Sequence, residues 1–310
     1  MSRSHPDPAG SPARGAGGRR RVAAWVRALA LPLVWLPIRP LFLEVGATLA
    51  HASGLPLPRD LTDPAALIAA WPGLLVVNLV DLAGAVALVA AYWRWIERQP
   101  WERFGLHPAS RCAVETGAGL LVGSVLVATL VALGVAAGWY RLTAGELRPL
   151  PGLVAGLLVL LPLATTEELL LRGGTYGTLA AAAGPGPAAI VSAALFATLH
   201  LLNPGATAAS WLGTFLAGVY LAAAFALTGR LYYAIGIHTA WNLVMGIGFG
   251  LPVSGFLLPA VVRTLASGPP LATGGAYGPE AGLLGAIALA LHAPTLALVS
   301  HRLRRPAPGR

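Results

Sequence analysis

The chain has 310 residues, of which 56% are hydrophobic and 11% are charged, and its mean hydropathy is +0.70. Soluble domains carry about 25% charged residues, so this composition excludes a soluble globular protein and indicates an integral membrane protein. All 21 basic residues are arginine, which indicates GC-rich coding and hence a bacterium. The net charge of +9 comes largely from the two arginine-rich ends. Because basic residues flank membrane spans on the cytoplasmic side, this charge indicates topology and not nucleic-acid binding.

Apolar runs of helix length recur along the chain, and they predict an all-α polytopic bundle of about eight transmembrane helices. Residues 1–22 are rich in Pro, Gly, Ser and Arg, which predicts a disordered cytoplasmic tail. Residues 23–150 hold the N-terminal transmembrane helices. The first of these is interrupted by prolines, which predict a kink or a span split in two. These prolines are Pro32, Pro37 and Pro40.

The second half of the chain divides into two segments. Residues 151–250 contain four apolar runs with polar residues inside them and form the predicted functional core. Residues 251–310 comprise a Pro/Gly-rich loop up to Glu280, a last span at about 281–299 and a basic tail. An even number of spans places both termini on one side, so we expect a multi-pass protein of the cell membrane with both termini cytoplasmic. Cys112 stands alone, which excludes an intramolecular disulfide and a cysteine-based metal cluster.

The fourth predicted span ends in two adjacent glutamates and an arginine, within Thr165–Arg172. An ionisable side chain at mid-bilayer costs roughly 2.5–3.5 kcal/mol on insertion scales, so these three groups must face protein or water. On a helix, Glu168 and Arg172 lie about 40° apart and pair, whereas Glu167 projects about 100° away from Glu168. We therefore interpret Glu168 and Arg172 as a structural ion pair and Glu167 as the functional carboxylate.

Two later spans add polar side chains of catalytic type. His200 follows Phe196 by four residues, and Asn242 follows His238 by four residues, so each pair shares a helix face. If the spans bundle with polar faces inward, these groups and Glu167 converge in an intramembrane polar cavity. A glutamate and a histidine can activate water, while a second histidine and an amide can donate to an oxyanion. Alternatively, Glu167, His200 and His238 supply three ligands for zinc or another divalent metal.

The ordered set Glu167-Glu168-x-x-x-Arg172, Phe196-x-x-x-His200 and His238-x-x-x-Asn242 resembles the CPBP family. These are the CAAX proteases and bacteriocin-processing proteins, also called the Abi family, and the resemblance covers about residues 153–249. It implies a helical intramembrane bundle with endopeptidase activity, whose core is the 151–250 segment. By this resemblance Glu167 is the general base, His200 its partner in activating water, and His238 and Asn242 the oxyanion-stabilising pair. Family members are described both as metalloproteases and as glutamate-dependent peptidases, so the metal is left open.

The expected partners are the lipid bilayer and a membrane protein or peptide substrate, with no nucleic acid. Two other functions stay open. One is a membrane transporter or proton relay, because glutamates and histidines inside membranes also move ions. The other is a catalytically silent scaffold or bacteriocin-immunity protein built on the same fold. The glycine-rich segment Gly274–Glu280 receives no role. Neither the substrate nor the oligomeric state follows from the sequence.

Overall fold

A computed structural model of the protein describes residues 13–60, 64–106 and 109–304, and it confirms the predicted all-α membrane bundle. The α-helices, in chain order, are α1 Ala13–Ala52, α2 Pro64–Ala91, α3 Cys112–Ala136, α4 Pro149–Glu168, α5 Gly177–Ala183, α6 Pro185–Leu199, α7 Ala208–Thr228, α8 Leu231–Asn242, α9 Pro270–Thr273 and α10 Leu283–Arg304. Turns of π-helix extend three of them, namely α2 by Tyr92–Glu97, α4 by Leu169–Tyr176 and α8 by Leu243–Gly248. Turns of 3₁₀-helix occupy Trp101–Phe104, Ala109–Arg111, His200–Leu202 and Pro279–Ala281.

Within these described ranges, seven helical stretches are long and apolar enough to cross a membrane. They are Ala23–Ala52, Ala65–Glu97, Cys112–Ala136, Pro149–Ala183, Pro185–Leu202, Ala208–Thr228 and Leu283–Leu303. Their outer faces expose large apolar side chains such as Leu33, Leu121 and Leu212. An exposed apolar face on so many long helices is the pattern of a multi-pass membrane protein.

The last of the four apolar runs predicted within residues 151–250 is different in kind. It forms α8 and its π-helical turn, and it is not among the seven apolar stretches. Every side chain of α8 is buried, and the helix packs against α3, α4 and α7. Because protein encloses α8, its outer face need not be apolar, and the helix can carry His238 and, as its last residue, Asn242.

One N-terminal prediction needs a correction. The helix α1 begins at Ala13, inside the segment 1–22 that the sequence predicted as disordered. Ten residues of that segment extend the apolar helix that follows, and six of the ten are alanine or arginine, which are strong helix formers. Residues 1–12 of the predicted tail lie outside the described residues. Of the two alternatives predicted for Pro32, Pro37 and Pro40, a kink or a split span, the structure excludes the split, because one helix runs through all three prolines.

The predicted loop after residue 250 contains a strand that the sequence did not reveal. β1, Tyr140–Ala144, pairs antiparallel with β2, Val262–Ala266, from Tyr140 opposite Ala266 to Ala144 opposite Val262. The pair joins the α3–α4 connection to the α8–α10 connection on one side of the bundle.

Beside the strands, Arg263 Nη2 lies 2.7 Å from Glu146 Oε1. Burial would raise the pKa of Glu146, but hydrogen bonds from Arg263 and from the N–H of Ala260 outweigh it and lower this pKa below its ordinary value. The 251–282 connection is therefore anchored at this end.

Two glycines face each other where α3 crosses α8. A Cβ added at Gly119 would lie 2.3 Å from the carbonyl oxygen of Tyr233, and one at Gly236 would lie 2.3 Å from that of Thr116. Real Cβ atoms do not approach a backbone so closely, so the short distance between the two helices requires glycine at both positions. The position of α8, and with it His238 and Asn242, rests on this crossing.

We predict that Gly119→Ala lowers the free energy of unfolding by about 1–3 kcal/mol, because the added methyl group forces α3 and α8 apart. Denaturant unfolding in mixed micelles measures the change. Gly117→Ala is the matched control, since nothing lies within 4 Å of its added Cβ on the same helix. The control is expected to be neutral or to stabilise by up to about 1 kcal/mol through helix propensity. Equal stability of the two variants would contradict the proposed close crossing.

Candidate functional site

The site begins where α4 changes into a π-helical turn. Glu167 and Glu168 end the α-helix, and Arg172 lies inside the turn Leu169–Tyr176. Arg172 Nη1 donates to Glu168 Oε1 at 2.8 Å, and both side chains are completely buried. The i, i+4 spacing places the two groups on one face, as the geometry of a helix requires. A buried pair of this kind is tolerated only when further contacts satisfy the charges.

Arg172 makes those further contacts. Its Nη2 donates to the carbonyl oxygen of Gly218 on α7 at 3.2 Å, and its guanidinium carbon lies 4.6 Å from the centre of the Phe196 ring on α6. A guanidinium over an aromatic face is an attractive arrangement when both are desolvated. One side chain therefore connects the end of α4 to α6 and α7.

His238 is the second partner of Glu168. The Nδ1 atom of His238 lies 2.9 Å from Glu168 Oε1, and its Nε2 atom lies 3.8 Å from Glu167 Oε2. A carboxylate only accepts, so Nδ1 carries the hydrogen and donates it. This bond fixes the orientation of the imidazole and directs Nε2 toward Glu167.

The two adjacent glutamates occupy different environments. The Glu168 side chain is fully buried and pairs with Arg172 and His238, whereas 25% of the Glu167 side chain is accessible. Glu167 lines a cavity and Glu168 does not, while the Oε2 atoms of both glutamates are buried without a hydrogen-bond partner among the described residues. Of the two carboxylates, Glu167 is therefore the one whose side chain a molecule in the cavity can reach.

His200 directly follows α6 and begins the 3₁₀ turn His200–Leu202. Its Nδ1 atom lies 2.7 Å from the carbonyl oxygen of Phe196. Because a carbonyl oxygen cannot donate, Nδ1 carries the hydrogen, and in the neutral ring Nε2 keeps its lone pair. The Phe196 ring packs between the two imidazoles, with its centre 4.4 Å from that of His200 and 5.7 Å from that of His238.

A cavity of about 580 Å³ brings the predicted residues together. Its walls include all four predicted catalytic side chains, namely Glu167, His200, His238 and Asn242. The remaining walls are largely apolar, with contributions from Trp35, Leu199 and Leu258. A concave, mostly apolar pocket with a few convergent polar groups is typical of a binding or catalytic site.

The metal alternative can be compared with this geometry. Each histidine donates through Nδ1 and directs Nε2 elsewhere, which is the usual arrangement of metal-bound histidines. Across residues 13–60, 64–106 and 109–304, however, no group of three or more His, Cys, Asp or Glu side chains could hold a metal ion. Glu167, His200 and His238 as arranged do not form such a group, so their arrangement does not fit a bound metal ion.

Several cavity residues escaped the sequence analysis. Glu280 lines the cavity and is buried, and this burial raises the pKa of its carboxyl group. Arg39 also lines the cavity, where its Nε donates to the buried Asp81 at 3.1 Å. The cluster of glycines before Glu280 was the available signal, since glycines accumulate where backbones approach closely.

Comparison with known proteins agrees with the motifs. Residues 148–244 match the family described as type II CAAX prenyl endopeptidase Rce1-like, and this segment contains every motif residue from Glu167 to Asn242. No curated protein and no solved structure matches the chain. The matched third of the chain confirms the resemblance to the CAAX protease family and supports a CAAX-type intramembrane endopeptidase as the general class.

We predict that Arg172→Met lowers the free energy of unfolding by about 3–5 kcal/mol, because the carboxylate of Glu168 is left buried without its cation. Denaturant unfolding in mixed micelles measures the loss. Arg141→Met on the exposed face of β1 is the control, and it should change stability by no more than about 0.5 kcal/mol. If both variants were equally stable, the Glu168–Arg172 pair would not be the compensated charge described above.

Proposed function

We propose that the protein is an intramembrane endopeptidase that hydrolyses a peptide bond of a membrane-associated protein or peptide. The observation that carries this proposal is the single cavity lined by Glu167, His200, His238 and Asn242. These side chains come from α4, the end of α6 and α8, so three separate elements direct a base, two imidazoles and an amide into one space. The family match at residues 148–244 supports the same class of reaction.

In the proposed reaction, Glu167 is the general base. Its accessible carboxylate takes a proton from a water molecule in the cavity, and the water oxygen attacks the carbonyl carbon of the peptide bond. His200 accepts a hydrogen bond from the same water through Nε2, because its Nδ1–H is already committed to Phe196. The attack forms a tetrahedral oxyanion and leaves the proton on Glu167.

His238 and Asn242 are the proposed oxyanion donors. Asn242 follows His238 by one turn of α8, so both project from one face of that helix. Asn242 donates through its amide, and His238 donates through Nε2–H when both of its nitrogens carry hydrogens. The anionic Glu168, bonded to Nδ1, supports that form of the ring. Donors placed in advance where the negative charge develops contribute about 3–4 kcal/mol each in acyl transfer.

Collapse of the tetrahedral intermediate completes the hydrolysis. The carbon–nitrogen bond breaks, and the proton held by Glu167 passes to the departing amine, directly or through His200. The products are a new carboxyl group and a new amino group, and Glu167 returns to its starting form. Glu168 and Arg172 take no proton in this scheme, since they hold the end of α4 and orient His238.

We predict that Glu167→Gln lowers kcat/KM by about 10²–10⁴-fold, because the amide keeps the size of the side chain but cannot accept the proton of water. The measurement is the cleavage of a set of fluorescence-quenched apolar peptides by detergent-purified protein. Glu146→Gln is the matched control, since Glu146 pairs with Arg263 beside the strands and does not line the cavity. The control is expected to cleave like the wild type.

Measuring the metal content of the same preparations distinguishes water activated by Glu167 as a base from water activated by a bound metal ion. We expect substoichiometric metal in the wild type, with cleavage retained. Near-stoichiometric zinc that is lost in both Glu167→Ala and His200→Ala would instead make these residues ligands. Full activity of Glu167→Gln would contradict the proposed base, and a wild type that cleaves no peptide would favour a scaffold.

A further inference from the structure

Glu280 is the one carboxylate of the cavity wall, among the described residues, to which the reaction above gives no role. Its Oε1 atom accepts a hydrogen bond from Trp241 Nε1 at 2.9 Å. Its Oε2 atom accepts from the backbone N–H and, at 3.0 Å, from the hydroxyl of Ser254. Three donors thus converge on a buried side chain, and they come from α8 and from the loop that follows it.

Ser254 lies at the tip of a tight turn. Val253 and Phe256 exchange two backbone hydrogen bonds, of 2.8 and 2.9 Å, around Ser254 and Gly255, which both have positive φ. A non-glycine residue in this left-handed region is strained, because its Cβ approaches the following carbonyl oxygen. Such a conformation persists only where surrounding contacts hold it, and the two bonds to Glu280 are contacts of this kind.

The turn also binds the element that carries His200. The side chain of Asn203 donates from Nδ2 to the carbonyl oxygen of Ser254 at 3.1 Å, and the backbone N–H of Asn203 donates to the carbonyl oxygen of His200. On the other side of Glu280, Trp241 lies on α8 between His238 and Asn242. A continuous chain of hydrogen bonds therefore runs from the His200 turn through Ser254 and Glu280 to α8.

Close backbone contacts fix the position of Glu280 itself. A Cβ added at Gly213 on α7 would lie 1.6 Å from the carbonyl oxygen of Glu280, and one at Gly278 would lie 2.1 Å from that of Pro252. Neither position has room for a side chain. The glycines let the 274–282 segment press against α7 and against the turn, which holds the Glu280 carboxylate in place.

We propose that Glu280 is a positioning residue that fixes the turn His200–Leu202 relative to α8. In this way it aligns the residues that activate water with the residues that stabilise the oxyanion. This role rests on the proposed function, because it is defined by the residues of that reaction. Glu280 acts through Trp241 and Ser254 and not on the substrate. A misplacement of about 1 Å between catalytic groups can lower a rate by about 10²-fold, so a side chain that maintains their alignment supports the rate of the reaction.

The first test is Glu280→Gln, studied in the full-length detergent-purified protein. The amide retains the size of the side chain, but it cannot accept from both Trp241 and the Ser254 N–H without turning an N–H group toward one of these donors. We expect kcat for the best of the quenched peptides to fall about 10–100-fold while KM changes less than about 3-fold. Amide hydrogen exchange over residues 251–258 should become about 10-fold faster.

The second test is Trp241→Phe, which removes the indole N–H and keeps an aromatic ring. If Glu280 acts through Trp241, this variant lowers kcat on its own, and the double variant with Glu280→Gln falls no further than Glu280→Gln alone. Non-additivity of this kind is expected of residues that form one unit. Trp241→Phe also carries the test if Glu280→Gln does not fold.

Glu146→Gln is again the control, because Glu146 anchors the same connection at the strand pair, away from the cavity. It should leave kcat and the exchange of residues 251–258 unchanged. Wild-type kcat in Glu280→Gln overturns the proposal. A lowered kcat with unchanged exchange and a silent Trp241→Phe also overturns it, since Glu280 would then act directly on the substrate. If the wild type cleaves no peptide, the proposed function fails, and the exchange measurement alone still decides whether Glu280 holds the turn.

Discussion

Charged groups inside a membrane must be compensated by protein, and the end of α4 carries three of them side by side. Arg172 compensates Glu168, and Glu168 in turn accepts a hydrogen bond from His238. This small network draws α4, α6, α7 and α8 to one point, since Arg172 also contacts Gly218 and the ring of Phe196. Glu167 is left facing the cavity as a consequence. The site therefore depends on a buried ion pair whose own members do no chemistry in the proposed reaction.

A fully protein-enclosed helix is the second requirement of this arrangement. α8 carries polar side chains that would be costly against lipid, and it can do so because α3, α4 and α7 surround it. The glycines at the α3–α8 crossing permit the close approach that this enclosure needs. The polar residues of α8 are therefore tolerated partly because the small residues of α3 let the two helices pack closely.

The fold class and the motif pairs could be predicted because both depend on short-range patterns. Apolar runs identify helices, and i, i+4 spacing places Glu168 with Arg172 and His238 with Asn242 on shared faces. The role of Glu280 could not be predicted, since its partners Trp241 and Ser254 lie 39 and 26 residues away, across a loop. The β1–β2 pairing joins two connections more than 100 residues apart and leaves no local signal either. The family match ends at residue 244 and also stops short of Glu280.

In the proposed mechanism, Glu167 directs water onto a peptide bond inside the bundle. The most direct measurement is the mass of the products when the wild type and Glu167→Gln act on a membrane peptide in water enriched in oxygen-18. We predict heavy oxygen in the new carboxyl group of the wild-type product and, under the same conditions, almost no product from Glu167→Gln. Product without heavy oxygen, or equally labelled product from both proteins, would contradict it.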